Sequence, residues 1–473
     1  MVVQYLKIAF RNLWKYKTQS LTGIFGLAFG ITCFIPALYW LRYETSYDSF
    51  YPDAEHIYRI YSVDKRSGEA NGHVSGILER KLHEQLPAMQ NSTVFFVESN
   101  DCKSEETPHI RLRTVFTDST FLYVFPQVIV RSDAQQPLQT MNNIVITETV
   151  AVRLFGDVEK AIGQRIKSTM LEHDPPYTVT AVVKDPPPNT NLPFDAILFH
   201  EQIKKQKAFI ENSAEQIWTL ATLQMYVRFH PLTDADRLAE QLCDFPSQSL
   251  ENTRFEVRML PVGDVRYRLN TDVPFTLNFI RLLVSAGILL IFSSLFNFLN
   301  LQSDIFRQRI RELRLRAVYG ASGDQLILQM MFELTCVILL ALLPACCFVI
   351  IACPTFSGLL GIMIGMSQLI ILFAVCGIGV MALILFIGFM LFWRLSWLAM
   401  HPQSERKTTR PLLLQRVAVT LQLTVSIVFL VAALVVMKQM RFVDHKDLGF
   451  DSKGIIHLSG LHLFVDESVR TAL

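Results

Sequence analysis

Residues 18–41 read TQSLTGIFGLAFGITCFIPALYWL, a stretch with no Asp, Glu, Lys or Arg. About 20 apolar residues cross the hydrocarbon of a bilayer as a helix, so this stretch predicts a membrane span. Charge-free runs recur at 282–303, 334–366, 368–393 and 417–437. Of the 473 residues, 18% are charged and 51% hydrophobic, against about 25% charged in an average soluble domain. That composition excludes a soluble enzyme, a secreted disulfide scaffold and a disordered chain. Run 18–41 is also longer than the apolar core of a signal peptide, and no small-residue cleavage site follows it. The spans are placed at 18–41, 282–303, 331–353, 368–393 and 417–437.

Lys and Arg set the orientation. Residues 1–17 carry Lys7, Arg11, Lys15 and Lys17 without an acid. Segment 304–330 carries Arg307, Arg309, Arg311, Arg314 and Arg316, and linker 394–416 carries Arg394, Arg406, Lys407, Arg410 and Arg416 against Glu405. Loop 354–367 is uncharged, whereas residues 42–281 hold 25 basic and 32 acidic side chains, a net of −7. Short basic loops stay in the cytoplasm. Five spans then put the N-terminus inside, and 42–281, 354–367 and 438–473 outside. Before the first span, Val3, Leu6, Phe10, Leu13 and Trp14 share one helical face and Gln4, Lys7, Arg11 and Lys15 the other. This is the pattern of a helix lying on the inner membrane surface; a plain topology-setting cationic flank is the alternative.

The long segment 42–281 reads as a folded α+β domain. Strand patterns occur at 56–63, 111–116, 143–147, 177–183, 224–229 and 254–260, with helical patterns at 75–86, 148–155 and 234–242. Gly156-Asp157 stops the second helix, and Asp185-Pro186-Pro187-Pro188 ends a strand stiffly. Chemistry is sparse. His83-Glu84 opens like a zinc-protease helix, but Pro87 stands where the second His belongs. Ser62-x-x-Lys65 lacks its companion motifs and reads as an exposed strand end. Six cysteines lie in or beside the apolar runs as small hydrophobes. Only Cys102 and Cys243 lie in the polar segment, and nothing beyond their number argues for a bridge. No catalytic, cofactor-binding or metal-binding residue is assigned.

The sharpest local signal is 304–330. Asp304–Tyr319 reads as an Arg-studded helix that Gly320 ends as a C-cap glycine. Ser322-Gly323-Asp324-Gln325 fits a capping box at the start of the next helix, and Asp324 suits its positive end. Positive-inside topology needs charge but not a shaped helix–turn–helix. In span 1, Gly26-x-x-x-Gly30 offers a small-residue face for close helix approach, or else ordinary glycine usage.

Arg311–Ser322, RELRLRAVYGAS, resembles the "EIGLRKALGAS" signature of the FtsX-like permease domain of ABC transporters. Phe10-Arg11-Asn12-Leu13, Tyr47-Asp48-x-Phe50, Ile57-Tyr58-Arg59-Ile60, Val145-Ile146-Thr147-Glu148 with Leu154-Phe155-Gly156, Val179–Asp185, Asn297 with Asn300, and His401-Pro402 resemble stretches of the MacB-like branch in the same order. The resemblance implies one span, a large extracytoplasmic domain, then three spans. It also implies a separate cytoplasmic ATPase chain that binds ATP and Mg, since this chain has no G-x-x-x-x-G-K-[ST]. Under it Glu312, Leu313, Arg314, Arg316, Val318, Gly320 and Ser322 are the ATPase-coupling residues, with Leu313 and Val318 as apolar anchors. Glu312-Leu313-Arg314 departs from the family's "EIG". Asp447–Phe450 resembles duplicated, eight-span Bacteroidetes-type members, so 417–437 reads as the first span of a second unit and 438–473 as the start of its outer domain. The chain thus reads as a fragment, split product or degraded half.

The expected protein is therefore a multispan α-helical membrane protein of the bacterial inner membrane, with an α+β extracytoplasmic domain between spans 1 and 2. The expected function is an ABC permease subunit, working as a homo- or heterodimer, that exports a substrate or extracts it from the membrane. The alternatives are a mechanotransmitter acting on an outside adaptor or hydrolase, and a sensor. No nucleic-acid partner is expected. The spans read as nearly free of buried charge, which argues against a secondary transporter or channel.

Overall fold

The computed structural model describes residues 2–74, 76–104, 109–140, 142–168, 176–199, 222–231, 233–249, 254–269, 277–400 and 410–446. In chain order the principal helices are α1 (Val2–Lys15), α2 (Lys17–Thr45), α3 (Gly76–Gln85), α4 (Glu148–Phe155), α5 (Ala235–Ser249), α6 (Leu277–Gln308), α7 (Ile310–Val318), α8 (Gly323–Leu360), α9 (Met366–Met400) and α10 (Arg410–Asp444). The strands are β1 (Ile57–Asp64), β2 (Ala70–Asn71), β3 (Met89–Lys103), β4 (Ile110–Thr117), β5 (Ile129–Ser132), β6 (Asn143–Thr147), β7 (Arg165–Ser168), β8 (Tyr177–Val183), β9 (Ala196–Phe199), β10 (Gln224–Phe229) and β11 (Phe255–Pro261). Contacts divide the chain into two compact units. One comprises 1–26, 292–336 and 384–473, the other 27–291 and 337–383.

The second unit holds an eleven-stranded sheet ordered β11-β1-β10-β3-β4-β9-β6-β8-β5, with β2 beside β1 and β7 beside β3 and β8. Pairing is antiparallel except for β4 with β9 and β6 with β8. Because side chains alternate along a strand, each strand feeds both faces. Ile60, Val94, Ile146 and Val227 share one core with Leu82 of α3, Leu154 of α4 and Leu242 of α5. Ile57, Phe95, Val145 and Tyr226 share the other with Phe121, Phe125, Phe194 and Val262. A sheet covered on both faces explains why the centre of β6, Ile144–Ile146, reads as a continuous apolar run rather than as an alternation.

Strand β3 was absent from the sequence reading. It carries buried polar residues, and each is satisfied across the sheet or by a loop. Ser92 donates to Glu79 at 2.9 Å, Thr93 donates to Asp118 at 3.1 Å, and Thr114 of β4 donates to Asn100 at 2.7 Å. Buried polar groups need such partners, and long-range pairing leaves no mark in local composition. Cys102 of β3 and Cys243 of α5 are free thiols, so no bridge joins them.

Two polar clusters tie the domain to the end of α2. Glu44, buried near the end of α2, accepts hydrogen bonds from Arg266 at 2.6 Å, Tyr267 at 2.5 Å and Trp40 at 3.1 Å. The Arg266 guanidinium also lies over the Tyr47 ring, 3.9 Å from its centroid. Four residues on from Glu44, Asp48 takes a left-handed backbone, φ 55°. Its buried carboxylate accepts from Thr190 at 2.6 Å and from the Asn191 side chain at 2.6 Å. Burial pushes the Asp48 carboxyl up, against the pull of those bonds. Aspartate tolerates that backbone better than most residues, which gives Tyr47-Asp48 a physical role as a turn locked to 189–191.

Among the described residues, five helices are long and apolar enough to cross a membrane, at Lys17–Thr45, Leu277–Gln308, Gly323–Leu360, Met366–Trp393 and Gln422–Phe442. The strand-rich domain lies between the first and second of these. Helix α8 passes Pro344 and Pro354 and ends at Leu360 before Gly361 at φ 64°. The loop expected at 354–367 thus shrinks to a few residues. Each proline removes one backbone donor, and neither ends the helix. Helix α9 continues past Trp393 to Met400 and α10 starts at Arg410, so the expected linker 394–416 is helical at both ends. Residues 401–409 and 447–473, including most of the expected second outer domain, lie outside the described residues. In α1, Val3, Phe10 and Trp14 are exposed while Ala9 and Asn12 are buried. Gln4, Lys7, Arg11 and Lys15 of the cationic face are exposed as well.

Candidate functional site

The candidate site is the turn between α7 and α8 with the side chains beneath it, all within the first unit. Helix α6 ends at Gln308, and Arg309, at φ −93° and ψ 0°, breaks it from α7. The helix expected from Asp304 is therefore two helices. At the far end of α7, Gly320 N–H donates to the Ala317 carbonyl at 3.0 Å and Ala321 N–H to the Arg316 carbonyl at 3.0 Å. With Gly320 at φ 97°, these bonds make a Schellman termination. Immediately after it, Ser322 Oγ accepts from Gln325 N–H and Gln325 Oε1 accepts from Ser322 N–H, each at 3.3 Å. This is the reciprocal capping box read from the sequence. Two helix ends are thus satisfied within six residues, leaving a stiff corner.

A buried polar network lies under the corner. Arg309, 2% exposed, donates to Glu333 through Nη1 at 2.5 Å and Nη2 at 3.2 Å. Glu333 also accepts from Asn12 of α1 at 3.1 Å and from Gln329 at 2.8 Å. Arg316 continues the chain of contacts, donating to Gln329 at 2.7 Å and to Glu312 at 2.6 Å. One carboxylate therefore holds three parts of the chain: α1, the α6–α7 break and α8. This corrects the reading of the spans as nearly free of buried charge, since Glu333 falls within the expected third span, 331–353. The available signal was Glu333 itself, a carboxylate opening an apolar run, where an ionised group needs a partner. Its partners, Asn12 and Arg309, are remote in sequence or beyond the run and carry no local mark.

The residues singled out from sequence separate by environment. Glu312 and Arg316 pair with each other. Arg314 is half-buried and Leu313 is buried within its own unit. Val318 is 82% exposed, and Leu315 and Tyr319, which the sequence did not assign to coupling, are 60% and 89% exposed. Leu313 thus faces inward, and the apolar surface offered outward is Leu315, Val318 and Tyr319. Gly320 and Ser322 shape the corner as described. Beside it lies a concavity of about 320 Å³ lined by Tyr5, Arg316, Tyr319, Ala321, Gln325 and Gln329, among others. In α2, Gly26 faces Asn297 of α6, where a Cβ would lie 3.6 Å from Nδ2, and Gly23 faces Phe298 at 3.4 Å. Gly30 is buried. Of the approaches that glycines of α2 make to α6, those at Gly23 and Gly26 are at van der Waals distance.

Residues 20–244 match the MacB-like periplasmic core domain, and residues 284–400 match the FtsX-like permease C-terminal domain. The chain belongs to the FtsX/MacB-like ABC permeases. Between them the matched segments take in strands β1 to β10 of the strand-rich domain and the α7–α8 corner of this permease. Among solved structures, it is similar to a domain of a permease protein from Porphyromonas gingivalis, at 19% identity and TM-score 0.37, covering 45% of this chain and 92% of that one. It is also similar to the periplasmic region of MacB from Actinobacillus actinomycetemcomitans, at 10% identity and TM-score 0.32, covering 45% and 91%. A third is the extracellular domain of the noncanonic ABC-type transporter YknZ from Gram-positive bacteria, at 10% identity and TM-score 0.30, covering 43% and 99%. Membership rests on the two matched segments and not on these likenesses. No curated protein matches the chain.

Proposed function

We propose that this permease subunit couples ATP hydrolysis by a separate ATPase chain to movement of its strand-rich domain, for export or membrane extraction of a substrate. The observation that carries the reading is the α7–α8 corner: it is closed by two capping motifs, pinned from beneath by Glu333, and crowned by exposed Leu315, Val318 and Tyr319. A stiff knob with apolar tips suits seating in a groove of a partner, where a few desolvated anchors supply most of the binding energy. In this reading α1 and the corner lie on the cytoplasmic side of a bacterial inner membrane, ATP and Mg are bound by the ATPase, and a second permease chain completes the assembly. The tie of Glu44 and Asp48 to the domain favours a second reading, in which domain movement is itself the output, delivered to an outside adaptor or hydrolase.

The test is affinity purification of the full chain with its ATPase, with insertion checked in parallel. Val318→Asp combined with Tyr319→Asp is expected to reduce ATPase recovery at least about thirtyfold, the equivalent of an anchor worth about 2 kcal/mol. Arg311→Ala, on the rim, is expected to weaken recovery only at raised salt. Full recovery with the double aspartate variant would show that the corner does not dock the ATPase. Leu313→Asp is not a docking test, because it places a charge inside the permease's own packing. Substrate-stimulated hydrolysis would favour transport, and stimulation by an outside protein the second reading.

A further inference from the structure

We propose that the unit carrying the strand-rich domain binds an anionic phospholipid, in a cavity of about 700 Å³ between α2, the 187–189 turn and the start of α9. Ligand-sized clefts run to about 300–1,000 Å³. The lining mixes polar groups, Arg42, Tyr43, Asn189 and Gln368, with apolar ones, Met363, Ile364, Ile371 and Leu372 among them. The cavity lies at a membrane boundary on α2: its charge-free run stops at Leu41, and Arg42 is the first charge after it. Tyr39 and Tyr43 suit that level.

Charge names the headgroup. No Asp or Glu lines the cavity, and Arg42 is exposed without a carboxylate partner among the described residues. A guanidinium presents paired donors that fit a phosphate. The walls are also fixed. Tyr39 Oη accepts from Gly365 N–H at 3.0 Å and donates to Gln368 Oε1 at 3.3 Å. Asn189 Nδ2 donates to the Ser46 carbonyl and hydroxyl at 3.0 Å each. A cleft held open by hydrogen bonds, with one unpaired cation and an apolar floor, matches a phosphate on Arg42 and an acyl chain along Ile371 and Leu372. This site stands whether or not the corner docks an ATPase.

The experiment is native mass spectrometry of the full chain released from nanodiscs of mixed phosphatidylcholine and phosphatidylglycerol. Wild-type protein is expected to retain phosphatidylglycerol over phosphatidylcholine. One basic group near an anionic lipid surface is worth about fivefold, so Arg42→Gln should lower retention by that factor and Arg42→Glu by about thirtyfold. Arg42 is exposed and makes no contact that folding needs, and unchanged proteolytic stability of both variants would confirm it. A photo-crosslinker replacing Ile371 should capture lipid. Equal retention of the two lipids, unchanged retention in Arg42→Glu, or a crosslink to a second copy of the chain would each overturn the site. Displacement of the lipid by millimolar glycerol 1-phosphate would do so too, because a soluble anion would then suffice.

Discussion

Replacing Glu333 by leucine should be the most damaging single change in the first unit. Its carboxylate accepts four hydrogen bonds, two from Arg309, one from Asn12 and one from Gln329. Arg309 is 2% and Glu333 5% exposed, so water cannot take over. The variant strands a buried guanidinium and two amides, and breaking a buried pair from one side costs about 3–5 kcal/mol. Arg309→Met strands the carboxylate at a similar cost. The double variant removes both charges and should cost well below the sum, because neutralising a buried pair together is often nearly neutral. Unfolding of the full chain in one detergent, followed by a denaturant series, gives the cycle. A coupling of about 2–3 kcal/mol is expected for partners in direct contact. Single variants that each lose less than about 1 kcal/mol, or losses that simply add, would refute the view that Glu333 clamps α1, α7 and α8 through a dry ion pair.

Other perturbations act on single features. Gly320→Ala forces a side chain onto a backbone at φ 97° and should cost about 1–2 kcal/mol, read as faster amide exchange at Ala321 before any global change. Ser322→Ala removes one half of the capping box and should cost about 1 kcal/mol in the same unfolding series. Burial pushes the Cys102 thiol up to about 12, so it should resist alkylation at pH 8.5 until the domain unfolds. Because its folded value lies above the unfolded one, its contribution to stability is full below an ordinary thiol pKa of about 8.5 and lost as pH rises toward about 12; alkylation of the folded domain at the rate of a free thiol would contradict this. Reporter fusions at Gln135 and at Val318 should fall on opposite sides of the membrane, with Val318 cytoplasmic; the same side for both would overturn the five-span order.

Much of the architecture was legible because it rests on local signals. Apolar length marks a span wherever the partners are, so five runs gave five candidate helices. β6, β8 and β10 lie where their apolar and β-branched stretches placed them, and the Gly320 and Ser322 motifs predicted their own hydrogen bonds. What escaped depends on distant partners. Ser92, Thr93 and Asn100 look unlike strand residues until Glu79, Asp118 and Thr114 meet them. Pro354 reads as a helix stop, yet α8 absorbs it in an apolar setting where the rest of the ladder holds. Leu313 and Val318 looked equivalent as anchors, but five positions apart on one helix they fall on different faces, and only Leu313 is buried. The α6–α7 break was hidden because Arg309 looked like one more topological arginine.

Helix α10 has one more consequence. None of the described residues in its apolar window, Gln422–Phe442, is buried. Against the described residues it stands as a solute in the bilayer rather than a member of a core: its tendency to insert is a partition between water and lipid, written in its own composition.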